Sequence, residues 1–206
     1  MESTIASSRS DRTNRTASVP LLPWYFAATF ATSASGFAYL FAMRQVMLHD
    51  PAANIDALTS LYWIAGVFAP VIVGLKGAIL GGLLWATLAL LDVSVSFRHC
   101  LRTAWSAESL LVLPQFVAAV VALARGATSH ADLYVPLGLD LFWSPTGTPL
   151  AVLSHMVNAA VLLWSVVIWF RLRSDGTGQE RPWAVPFATA IVTLVVVLLP
   201  ILQLVD

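Results

Sequence analysis

Residues 76 to 92 read KGAILGGLLWATLALLD, residues 93 to 105 VSVSFRHCLRTAW, and residues 106 to 125 SAESLLVLPQFVAAVVALAR. Two apolar segments, each long enough to cross a lipid bilayer, flank a short turn carrying Arg98, His99 and Arg102. That pattern predicts a helical hairpin in membrane with its turn on the positive side. The rest of the chain repeats it. With 58% hydrophobic and 11% charged residues and a mean hydropathy of +0.80, the composition lies outside the soluble balance of about half apolar and a quarter charged. The fold class expected is all-α, a polytopic membrane helical bundle.

The spans follow in chain order. Residues 1–20 are rich in Ser, Thr and Arg with no apolar period and read as a disordered cytoplasmic tail; residues 21–206 form the membrane domain. The first span is expected at about 21–43. A secretory signal peptide is the rival reading, but the apolar run continues to Met43, too long for a signal core. The next apolar run, from Ala57 to Leu91, is interrupted only by Lys76. As one helix it would be roughly 52 Å long against a hydrocarbon core of about 30 Å. Pro70 and Gly74 mark a break, so residues 58–69 are read as an interfacial or re-entrant piece and 70–91 as the second span. The third span is expected at about 105–124, the fourth at about 150–170 and the fifth at about 183–202.

The arginines orient this five-span plan. With the amino terminus cytoplasmic, Arg9, Arg12, Arg15, Arg98, Arg102, Arg171, Arg173 and Arg181 fall inside, and Arg44 and Arg125 outside. Trp24, Trp105, Trp169 and Trp183 then sit at the inner interface, and Trp63 and Trp143 at the outer one. The expected location is the cell membrane, multi-pass, which in a Gram-negative cell means the inner membrane.

Polar residues within spans are the usual pointers to function. Glu108 and Gln115 share a face of the third span at i, i+7. A proton or ion relay competes there with a carboxylate that reaches headgroups or Arg102. Lys76 is expected not to pair with Glu108: it lies about 22 Å from the inner end of its helix, whereas Glu108 is read near the inner surface. On the fourth span Ser154, Asn158 and Ser165 share one face, with His155 one position round, a stripe suited to interhelical hydrogen bonds. Gly74, Ala78, Gly82 and Ala86 form a small-residue ladder for close helix packing, beside the pair Gly77 and Gly81.

No chemistry-bearing motif accompanies these. The chain has no Ser–His–Asp order, glycine-rich phosphate loop or HExxH, so neither catalysis nor a cofactor is expected. Cys100 is the single cysteine, which excludes a disulfide framework. His49, His130 and His155 all fall near the outer face, at spacings that match no ligand pattern. There is no basic face for nucleic acid. The inner arginines, Arg98 and Arg102 foremost, offer a docking surface close to anionic headgroups.

The run VSFRHCLRTAWSAESLLVLP, residues 95–114, resembles the loop and third-span entry of bacterial members of the Yip family, the Ypt/Rab-interacting membrane proteins. MVNAAVLLWSVVIWFRLR, residues 156–173, is similar to that family's fourth span, where an Asn or Asp precedes a Trp and the span ends in a basic residue. The likeness covers roughly residues 57–202, with departures at His155 and in the outer loop containing GLDLFW. It implies a five-span scaffold or adaptor with no catalytic residues. Its partners would be membrane lipids and other membrane proteins, such as ABC-type export components or further copies of the chain. The alternative is a small transporter or channel, with a path lined by Glu108, Gln115, Asn158 and Ser165.

Overall fold

The computed structural model describes residues 20–49, 55–129, 133 and 157–202. Five helices carry them: α1 Leu22–Met47, α2 Ile55–Leu90, α3 Phe97–Arg125, α4 Ala159–Ser174 and α5 Ala184–Leu202. No strand occurs among the described residues. Three stretches are long and apolar enough to cross a membrane, namely Leu22–Met47, Gly66–Leu90 and Phe97–Arg125; Ala184–Leu198 is a shorter apolar helix. The 1–20 tail before Pro20, the loop residues His130 and Trp143, and residues 150–156, with Ser154 and His155, lie outside the described residues.

Local signals set the helix ends. Proline opens the first turn of α1, where its missing N–H is no loss. Ser96 caps α3, its side chain accepting from the His99 N–H at 3.2 Å. At the other end Gly126 takes the left-handed conformation, φ 68°, and the Ala127 N–H returns to the Ala122 carbonyl at 3.0 Å. Asn158 caps α4 by accepting from the Val161 N–H at 3.0 Å.

Three expected boundaries are corrected, the first being the fourth span's: α4 starts at Ala159 after an extended Asn158, not at 150. α2 is one helix of 36 residues with Pro70 inside it; it neither breaks at Pro70 nor sets residues 58–69 apart. The Tyr25 hydroxyl of α1 donates to the Pro70 carbonyl at 2.8 Å, so a neighbouring helix holds the chain one turn beyond Gly66, whose carbonyl loses its donor to the proline. α3 begins at Phe97, eight residues before the expected span. Its first two turns are polar and basic, and hydropathy alone reads them as loop.

The helices pack through small residues and leucines. α1 and α3 lie side by side and run in the same direction, as Tyr25 against Trp105 near their starts and Ala42 clustered with Ala119 and Ala122 near their ends require. Leu80, Leu84 and Leu88 of α2, Ala104 and Ala107 of α3, Trp164 and Ile168 of α4, and Ala188 and Val192 of α5 make the main core. The outer surface is studded with Phe30, Trp63, Leu90 and Phe170. In water so many exposed aromatics would be a liability, whereas hydrocarbon accepts them.

Candidate functional site

Where α1, α2 and α3 meet, aromatic and charged groups are held against backbone. The Trp105 indole N–H donates to the Val73 carbonyl at 3.2 Å, and its ring tilts against Tyr25 with centroids 5.1 Å apart. This fit depends on Gly77: a Cβ there would lie within 2.0 Å of Trp105 Nε1. Gly81 likewise faces Leu101, whose Cα would be 2.9 Å from an added Cβ. Closest approach therefore falls on Gly77 and Gly81. Of the ladder, Gly74 and Gly82 make only ordinary contacts with Tyr25 and Phe97, while Ala78 and Ala86 are exposed.

One step along α2 from Gly77, the Lys76 ammonium donates to Glu108 Oε1 at 2.6 Å. The pair was not expected from depth, and the correction follows from the true start of α3. Counted from Leu90, Lys76 lies about 21 Å up α2; counted from Phe97, Glu108 lies about 16 Å up α3. A lysine stem spans the remainder. The Glu108 side chain is 3% exposed and that of Lys76 41%, so Lys76 neither snorkels to outer headgroups nor leaves the carboxylate to Arg102. Trp105, expected at the inner interface, is half-buried with its indole turned to α1 and α2.

The other expected polar residues separate. Gln115 is exposed and does not share the buried environment of Glu108. Asn158 is committed to the α4 cap. The hydroxyls of Ser165 and Thr193 meet at 2.8 Å across α4 and α5. Ser35 of α1, which the sequence reading passed over, donates to the Val112 carbonyl of α3 at 3.2 Å. Thr29 and Thr32 were also missed, although Tyr25, Thr29, Thr32 and Ser35 recur at helical spacing along one face. The side-chain oxygens of both threonines, Glu108 Oε2 and Trp164 Nε1 are buried without a hydrogen-bond partner among the described residues.

At one end of the bundle the basic residues gather. Arg102 of α3 bonds Asp175 after α4, and His99 Nε2 stands 3.5 Å from the same carboxylate. Arg181 reaches the turn before α3, contacting Asp92 at 3.2 Å and donating to the Leu91 carbonyl at 2.8 Å. Arg171 stacks 4.5 Å over Trp24 at the start of α1. Arg98, by contrast, is exposed. So the α1 start, the α2–α3 turn and the α4–α5 turn share one end, while Arg102 is already engaged within the chain.

Among the described residues no group of three or more His, Cys, Asp or Glu is placed to hold an ion. Searches against family models, curated proteins and solved structures found no match to this chain.

Proposed function

We infer that the protein is a five-span cell-membrane protein, amino terminus in the cytoplasm, that works without catalysis as a scaffold or adaptor of the kind the Yip resemblance implies. The observation that carries this reading is how most polar side chains of the helices are used. Tyr25, Ser35, Trp105 and the Ser165–Thr193 pair each bond a neighbouring helix. Lys76 and Glu108 bond one another. A conduit would turn such groups toward a hydrated path, and here they fasten helices together.

The docking face is the arginine-rich end, through arginines that make no ion pair among the described residues. Arg98 and Arg173 are exposed, and Arg173 rests over Trp169 at 5.5 Å, while Arg102 is engaged by Asp175. A partner of acidic surface, another membrane protein such as an export component, fits that end. The test is cross-linking in intact membranes with the parent and with Arg98→Gln/Arg173→Gln, which leaves Arg102, Arg171 and Arg181 to hold orientation. The variant is expected to lose the cross-linked species of the parent. An unchanged set, with topology intact, overturns docking at this end.

A further inference from the structure

Three buried oxygens are left over from the helix-to-helix bonding, and the register brings them to one level. Tyr25 lies against Trp105, and Ser35 bonds the Val112 carbonyl. Between those two contacts Thr29 and Thr32 of α1 fall opposite Glu108 and Leu110 of α3. Trp105 and Glu108 are spaced i, i+3, so the carboxylate lies at the seam where Trp105 meets α1 through Tyr25 and α2 through Val73. Glu108 Oε1 is bonded by Lys76, but among the described residues Oε2 has no partner, and nor have Thr29 Oγ1 and Thr32 Oγ1.

The threonines make this more than a coincidence of positions. A helical threonine in an apolar setting ordinarily returns its hydroxyl to the carbonyl one turn back. Thr87, Thr103, Thr189 and Thr193 all do so. Thr29 and Thr32 do not, and they are the two that the register sets at the level of the carboxylate. Pro114 adds a backbone acceptor at the same level, since without an N–H it leaves the Leu110 carbonyl lacking its usual helical donor.

The geometry points to an intramembrane site for a dehydrated monovalent metal cation, built from Glu108 Oε2 and the hydroxyls of Thr29 and Thr32, which exchanges one for one with the ammonium of Lys76. Carboxylate, hydroxyl and carbonyl oxygens suit a hard cation, and a single carboxylate balances a single charge. A cation added beside the intact Lys76–Glu108 pair would leave a net charge in low dielectric, whereas exchange keeps the site neutral. Lys76 is the partner able to leave: its side chain is 41% exposed while Glu108 is enclosed, and its flexible stem can carry the freed ammonium toward the headgroups.

Sodium is the probe, and the protein is the full chain purified in detergent. Equilibrium binding of radiolabelled Na+ is measured in N-methylglucamine chloride at fixed ionic strength. One saturable site is expected in the parent, lost in Glu108→Gln and weakened about tenfold or more in Thr29→Val/Thr32→Val. Lys76→Met, freed of the competing ammonium, should bind about tenfold more tightly, and Na+ but not N-methylglucamine should raise its melting temperature. Absence of saturable binding in the parent and in Lys76→Met overturns the site, as does parent-like binding in the threonine variant. Should Lys76→Met not fold, the parent and threonine-variant isotherms decide the matter alone.

Discussion

Lys76 and Glu108 join α2 to α3 through a 2.6 Å contact in which the lysine side chain is 41% exposed and the glutamate side chain 3% exposed. The asymmetry sets what each loss does. Removing the lysine strands a buried charge, whereas removing both charges strands nothing.

Lys76→Met is therefore expected to destabilise the protein in sodium-free buffer by about 3–5 kcal/mol, the cost of an unpaired buried charge. Lys76→Met/Glu108→Gln should recover most of that loss, because the amide is neutral. Melting temperatures of the parent, both single variants and the double variant give the coupling. Additive single effects would mean the two side chains do not act as a pair.

Close packing of α2 on α3 rests on Gly77 and Gly81. Gly77→Ala should cost about 1–3 kcal/mol, since its methyl would have to displace the Trp105 indole and the bond to Val73. Gly82→Ala should be tolerated, with Phe97 at 3.9 Å the nearest atom to its new methyl. Thermal melts followed by size-exclusion chromatography separate the two, and equal tolerance would remove Trp105 from the packing argument.

These glycines show how far the sequence could be read. Long apolar runs made the helical membrane class legible, because a bilayer admits few other backbones. Which small-residue row faces a neighbour was not legible. Gly77–Gly81 and Gly74–Gly82 are both small pairs on one helix, and the rotation is set by Trp105, which lies 32 residues from its acceptor Val73. The start of α3 was partly legible, in Ser96 as a capping residue, but the basic turns after it hid the helix from hydropathy. That misplaced start made Lys76 and Glu108 look separated. The Tyr25 contact that braces Pro70 links residues 45 apart, beyond anything periodicity reports.

The Ser165–Thr193 contact offers a smaller test. Both hydroxyls also reach carbonyls of their own helices, Val161 and Thr189. Ser165→Ala should therefore cost little, and a cycle with Thr193→Val should give a coupling of about 0.6 kcal/mol. A coupling several times larger would mean that the pair carries more than helix association.

The last expectation concerns orientation, and the gathered arginines make it specific. Asp92 with Arg181, Asp175 with Arg102 and Arg171 on Trp24 bring the α2–α3 turn, the α4–α5 turn and the α1 start to one end. Those three segments must lie on one side of the membrane whichever side that is. Under the orientation proposed above, which rests on the arginine asymmetry, that side is the cytoplasm. Reporter fusions after Ser174 should then read cytoplasmic, as should a cysteine-labelling site at Ser94 in the exposed turn. Fusions after Asp206 should read external if α5 crosses the membrane. Neutralising Arg98, Arg102, Arg171, Arg173 and Arg181 together should randomise orientation, while neutralising Arg44 and Arg125 should leave it unchanged. If the two turns read on opposite sides, the ion pairs joining them cannot form in the membrane, and the arrangement of α4 against α3 falls with them.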